Sequence, residues 1–275
     1  MPTLTVSIVA YLSDLDELAR NLDALQAAAD EARAASLLSS MRVAIVDNGP
    51  AGPAREALRD LVVARDGRTA TAYELIEAVA NAGYGAANNI VILASTGDLH
   101  LVMNPDVFLA RDALVAGLRH LRFHPAAALL TPAATTPGGD RQFLAKSHPG
   151  VLTLLARALH LPAALKDLAG DARYELRDEQ LSGNFSGRFL ASGCFMLCRT
   201  QALQAVGGFD PGYFMYFEDF DLSARLVAQG EMTYCADARI VHGGGNASAK
   251  GLRHITWFVA SMCRFFNRHG WRLKS

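Results

Sequence analysis

The sequence predicts an α/β fold with a mostly parallel central sheet and helices on both faces. Three observations carry that reading. Short β-rich apolar runs, Thr5 to Tyr11, Met41 to Val46 and Leu99 to Met103, have the length of buried strands. Helical patterns separate them, so strand and helix alternate through the first half of the chain. Two of the strands run straight into polar turns, Asp47-Asn48-Gly49 and Asn104-Pro105-Asp106. Ligands of open sheets bind beyond the carboxyl ends of the strands, so Asp47 and Asp106 are expected to face that crevice.

The elements follow in order. After the first strand, Ser13 reads as an N-cap with acids in the first turn, for a helix through roughly Ala29. Pro53 opens a second helix, and a third strand is expected around Tyr73 to Val79. The glycine-rich stretch Asn81 to Asn89 leads into an apolar helix ending near Ser95. A helix from Asp112 to Phe123 and a strand near Leu129 come next. From Thr131 to about Gly187 the pattern weakens, with a helical stretch from Val151 to Leu168 interrupted at Pro162. An acceptor-side insertion, a lid and an oligomer contact are all open there. Arg188 to Arg199 reads as one strand carrying Ser192 and Gly193, Met232 to Val241 as another with His242 at its end, and Leu252 to Trp271 as a helix mixing arginines with aromatics.

Composition excludes several functions. The 275 residues are 51% hydrophobic and 19% charged, a globular mixture, and the net charge of -1 gives no electrostatic case for nucleic acid. Cys194, Cys198, Cys235 and Cys263 form no C-x-x-C, so buried free thiols are expected rather than zinc. The N-terminal residues lack a signal-peptide pattern, and no apolar run is long enough to span a bilayer. The expected location is the cytoplasm, with peripheral attachment to a membrane face as the alternative.

Each motif has a plain structural alternative. Asp47 can accept a hydrogen bond from a base imide, or simply form an Asx-turn. Gly83 and Gly85 allow close backbone approach before a helix N-terminus, but Asn88 stands where a dinucleotide fingerprint needs its third glycine. Asn104-Pro105-Asp106 offers oxygen ligands to Mg²⁺ or Mn²⁺, or is an ordinary turn. In FDPGYFMYFEDFDLSAR, Phe209 to Arg225, acids crowd against aromatics. Glu218 and Asp219 suit acid–base work, with Asp219 at a helix start expected to stay ionised, or they cap the helix. Asp221 and Arg225 are spaced as a structural i,i+4 pair. His242 is either a metal ligand or a strand-end histidine. Neither G-x-S-x-G nor a Walker A motif occurs.

The order of these motifs, VDNG, NAGYGAANN, NPDV, SGCFMLCR, GGFDPGYFMYFEDFDLSARL and a late histidine, resembles the family 2 glycosyltransferases, in their bacterial rhamnosyltransferase-like branch. The resemblance spans about Thr5 to His242, outside Gly138 to Gly187. It implies a GT-A fold over residues 1–249, with a nucleotide-sugar-binding half at 1–130 and an acceptor-binding and catalytic half at 131–249; the amphipathic helix expected at 250–275 lies outside the resemblance. It implies inverting transfer from a dTDP- or UDP-linked sugar, with dTDP-L-rhamnose as the candidate donor. The acceptor would be a glycan or lipid-linked hydroxyl in cell-surface polysaccharide synthesis. By motif position Asp47 resembles the base-recognising acid, and Asn81, Gly83 and Asn88 the donor-site loop. Asp106 resembles the metal-binding acid of a D-x-D motif whose first acid is here Asn104. Asp219 resembles the catalytic base, Glu218 its acceptor-side neighbour, and His242 a metal- or diphosphate-contacting histidine. Homo-oligomerisation and a membrane contact through the C-terminal helix are further expectations. The rival functions are a nucleotidyltransferase making nucleotide-sugars, for which Ala10 to Asp14 lacks the basic glycine-rich loop, and a non-catalytic glycan- or sugar-nucleotide-binding module.

Overall fold

The computed structural model describes residues 1–67, 69–243 and 251–275. The expected boundary between 249 and 250 lies outside the described residues, as do Gly244 and Gly245. The central sheet has ten strands among the described residues. Its main path runs Thr71–Glu77, Ser40–Asp47, Thr3–Ala10, Leu99–Met103, Phe195–Arg199, Ala127–Thr135, Glu231–His242 and Val107–Leu109. The first four are mutually parallel, and Phe195–Arg199 enters antiparallel between Leu99–Met103 and Ala127–Thr135.

Alternating side chains divide the core. Leu4, Val6 and Ile8 of the first strand pack under the helices Leu15–Ala34, Pro53–Val63 and Ala113–Phe123. On the opposite face Val102, Met196 and Cys198 meet Ile92, Leu203 and Leu222 from three other helices. Both faces are thus covered, as a parallel sheet requires.

Two elements differ from the sequence reading. The first helix is capped by Asp14, whose carboxylate accepts from the Asp16 and Glu17 amides, and it runs on to Ala34. Ser13 instead accepts from the Tyr11 amide. The expected single strand from Arg188 to Arg199 is two. Leu190–Ala191 pairs antiparallel with Ala145–Lys146 in a small separate sheet, and Phe195–Arg199 joins the large one. The break falls at Ser192 and Gly193, whose amides are taken by Leu144 O and Asp219 rather than by a ladder partner.

The weakly patterned region folds into four short helices between Val151 and Ser182. An ionic cluster ties them together: Arg157 binds Asp171 and Glu175, and Arg177 binds Asp167, Asp171 and Glu175. Burial alone would raise the Glu175 pKa. Lys146 and Arg157 outweigh it and hold the carboxyl down at about 2.

The C-terminal helix, Leu252–His269, is docked on the domain. Phe265 and Phe266 are fully buried against Tyr213, Phe217 and Leu154. Burying each phenylalanine contributes roughly 1.5–3 kcal/mol. Arg264 and Arg268 pair with Asp210, and Arg268 also reaches Asp221. Beyond the helix the chain returns to the insertion: the amides of Val151 and Leu152 donate to the carbonyls of Arg272 and Leu273, both at 2.9 Å.

Candidate active site

A cavity of about 480 Å³ opens at the carboxyl ends of the strands, lined by Val9, Tyr11, Tyr84, Asn104, Asp106 and His242, with Asp14 and Glu17 at one side. A larger one, about 690 Å³, lies at the other end of the sheet beside Met1, Asp98 and Arg199, and holds none of the motif residues. The first cavity has the size of a small-ligand site. Its titratable lining is acidic, with no Lys or Arg among the described residues. Facing the described lining alone, a diphosphate would be repelled by the carboxylates unless a cation stood between.

Asp106 and His242 supply a place for such a cation. His242 Nε2 lies 3.6 Å from Asp106 Oδ1. The Gln142 amide donates to the His242 carbonyl at 3.1 Å, so its oxygen faces His242 Nδ1 at 2.8 Å and Nδ1 carries the proton. The lone pair is thereby left on Nε2, toward Asp106. Burial lowers the His242 pKa, against the pull of Asp106, and keeps the ring neutral. A hard cation is satisfied by one carboxylate, one imidazole and substrate phosphates, so the donor set fits Mg²⁺ or Mn²⁺. No group of three metal-ligating side chains occurs among the described residues.

The acidic corner lies beside this cavity. Helix Glu218–Leu226 begins directly after Tyr216 and Phe217, which both hold left-handed backbones, φ 71° and 63°. Neither is glycine, so the turn stores strain, and such strain gathers at functional sites. Asp219 Oδ2 accepts the Gly193 amide and Oδ1 its neighbour Phe220's, each at 2.8 Å. Tyr84, which lines the cavity, donates its hydroxyl to the Gly193 carbonyl at 2.8 Å. One residue, Gly193, therefore links the cavity-lining Tyr84 to the carboxylate. Glu218 is 7% exposed, and its Oε2 has no partner among the described residues. Burial first, and then the charge of Asp219, push the Glu218 pKa up to about 8. Burial also raises that of Asp219, opposed by its two amide donors. This corrects the expectation that a helix start alone keeps Asp219 ionised: desolvation is the larger effect here. Arg225 binds Asp221 at 2.8 Å, the structural pair its spacing predicts.

The donor-side residues are arranged less simply. Asp47 is 4% exposed and both its oxygens are engaged, Oδ1 by the Gly49 amide at 2.9 Å and Oδ2 by Arg55 Nε at 2.5 Å. The Asx-turn alternative is the one formed. Asn81 is exposed and joins Asn48 to the Gly83 amide. Asn88 does not line the cavity. It is fully buried, accepts from Ser7 Oγ and donates to the Tyr84 carbonyl. Gly83 makes its close approach to protein, not to a ligand. Its φ is +91°, and a Cβ there would stand 2.1 Å from the Phe214 carbonyl oxygen. A Cβ on Gly85 would strike Phe209. Asn89 clamps the Phe209 backbone through two bonds of 2.8 Å. The glycine loop and the aromatic loop are thus locked together. Of the aromatics, Tyr213 and Phe217 are core, whereas Phe214 and Tyr216 are partly exposed against Trp257 and His254.

No protein-family model matches the chain. The solved structure of mannosyltransferase PcManGT from Pyrobaculum calidifontis, in complex with GDP-Man and Mn²⁺, superposes with a TM-score of 0.60 at 16% identity, covering 96% of this chain and 64% of that one. GalNAc-T7 with UDP, GalNAc and Mn²⁺ gives 0.62 at 13% identity, over 90% and 45%. The fold is GT-A. In sequence, this GT-A chain is 30% identical over 189 residues to the N-acetylglucosaminyl-diphospho-decaprenol L-rhamnosyltransferase of Mycobacterium tuberculosis, 64% of this chain and 60% of the relative. Rhamnosyltransferase WbbL of Escherichia coli (strain K12) is 34% identical over 79 residues, 28% of this chain and 30% of its own. The chain therefore matches less than two thirds of the length of these curated relatives. The likeness to rhamnosyltransferases read from motif order is matched by these relatives.

Four residues of the candidate site were given no role from the sequence: Arg55 and Gln142, outside every motif, and Tyr84 and Gly193, inside motifs read for other residues. Each acts on a motif residue distant in the chain or across a turn, and only the topology brings them together. Tyr84 sat inside a motif already singled out and was the most accessible of them.

Proposed function

We propose that the protein transfers a sugar, with inversion, from a nucleotide-diphosphate donor to a hydroxyl of a glycan or lipid-linked acceptor in polysaccharide synthesis. The likeness to rhamnosyltransferases favours L-rhamnose as the sugar, with dTDP the carrier expected from the motif resemblance. The observation that carries this reading is the Glu218–Asp219 pair joined through Gly193 and Tyr84 to a cavity holding Asp106 and His242.

The diphosphate occupies the acidic cavity. A divalent cation bound by Asp106 and His242 would neutralise the diphosphate and stabilise its departure. The acceptor oxygen attacks the anomeric carbon from the opposite face as the bond from that carbon to the diphosphate oxygen breaks. Asp219 takes the acceptor proton. Its two amide donors favour its charged form, whereas the partnerless oxygen of Glu218 favours protonation there, so Asp219 is the base of the pair. Burial raises the basicity of Asp219, which suits proton abstraction. Phe214 and Tyr216 offer apolar faces to the acceptor.

Thermal-shift measurement against dTDP, UDP and GDP, each with and without Mg²⁺ or Mn²⁺, tests the donor class. Stabilisation by dTDP or UDP only with a cation is expected. No shift with any nucleotide under either condition overturns the donor assignment.

A further inference from the structure

We infer that the helices Val151–Ala158 and Ala163–Leu168, with the C-terminal tail, form a docking surface for an anionic lipid bilayer. Leu152, Leu155 and Leu159 recur at helical spacing and point to solvent, while Thr153, Leu154 and Ala156 between them are buried. Leu165 and Leu168 extend the apolar surface on the packed neighbouring helix. The tail adds Leu273, whose carbonyl is bonded to the Leu152 amide. Leu159, Leu168 and Leu273 are 69%, 71% and 74% exposed, far beyond what a solvated helix of this kind needs.

The charge around this surface identifies what it meets. Arg272 and Lys274 flank Leu273 and are exposed, and Lys166 and Arg173 lie on the adjoining helices. The nearby acids are occupied: Asp167 is bound by Arg177, and Asp171 and Glu175 are buried among Arg157 and Arg177. The exposed acids of the region, Asp178 and Glu179, sit on the following helix. Leucines ringed by lysine and arginine match an interface of acyl chains beneath anionic headgroups. The basic C-terminal helix itself is the weaker candidate, because Arg264 and Arg268 are committed to Asp210.

The inner side of the same helix touches the catalytic corner. Leu154 and Val151 pack with Tyr213, Phe217 and Phe265, one turn from Glu218. A bilayer against the leucine stripe therefore lies about one helix diameter, roughly 10 Å, from the acceptor corner. The docking does not depend on the transferase reading. That reading adds only its purpose, presentation of an acceptor carried by a lipid.

Flotation of the full chain with vesicles tests this, needing no turnover and so leaving the transferase reading untouched if it fails. Vesicles of phosphatidylcholine with about 30 mol% phosphatidylglycerol are expected to carry the protein up at low salt, and phosphatidylcholine alone to carry about tenfold less. The triple substitution L155E/L159E/L165E and, separately, R272E/K274E should each reduce binding by about tenfold, with the nucleotide thermal shift retained. The control F123E, at an exposed site on another helix, should bind as the unchanged chain does. Absence of flotation overturns the proposal, as does equal loss in F123E. So does a dimer in sedimentation velocity that L155E/L159E/L165E dissociates while vesicle binding persists, since the leucines would then face a second copy.

Discussion

The backbone N–H of Gly193 meets Asp219 Oδ2 at 2.8 Å, and a Cβ at Gly193 would stand only 3.1 Å from that of Asp219. The strand break at Ser192-Gly193 thus aims and holds the proposed base. Asp219→Asn keeps the shape but cannot take a proton. Transfer is expected to fall by about 10²–10⁴-fold while nucleoside diphosphate binding stays within twofold or so. A calorimetric titration in which binding is lost with the fold intact counts against the base assignment. Unchanged turnover would favour a binding module instead.

Gln142 holds His242 in one tautomer. Gln142→Leu removes that partner, and metal-dependent nucleoside diphosphate affinity should weaken by about 10–100-fold. Asp106→Ala should weaken it at least as far. The check is titration with and without Mn²⁺. Equal binding in both conditions by the unchanged chain would remove the metal role from all three residues.

Gly83 carries positive φ directly against the Phe214 backbone. Gly83→Ala adds a left-handed strain and an overlap that backbone cannot easily relieve, together about 2–4 kcal/mol. Chemical denaturation measures the cost. A loss below about 0.5 kcal/mol would mean that the two loops are not locked.

Glu218 makes stability fall as pH rises. Its pKa is raised in the folded state, so between the ordinary carboxyl value and about 8 the native protein binds more protons than the unfolded chain. The stability present below that window is lost across it. Glu218→Gln should flatten the decline, raising Tm more at pH 8 than at pH 5, in thermal unfolding followed across that range. A parallel offset at every pH would contradict the burial argument.

The strands and their polar ends were readable because buried runs and turn residues are local signals. The parallel pairing of the first-half strands followed from alternation, although the strand order and the antiparallel entry of Phe195–Arg199 did not. At the site, the motif residues were visible but their partners were not. Asp47 looked open to a ligand until Arg55 was found across both its turn and its charge. Asn88 looked like a loop residue because its pattern is polar, yet it serves Ser7 inside the sheet. The burial that raises the Asp219 pKa was hidden for a related reason: a helix start is written in sequence, whereas burial is a property of the assembled neighbours.

The return of the tail to Gly150 also bears on how the protein reaches its native state. Gly150 and Ser275 meet across 125 residues of chain, whereas the donor-side strands pair with near neighbours. Closing so long a loop carries an entropy cost before its contacts form, and distant contacts slow folding. The Asp106–His242 contact is as distant in the chain, so nucleotide binding and transfer should both return late in refolding, after the first-half strands have paired.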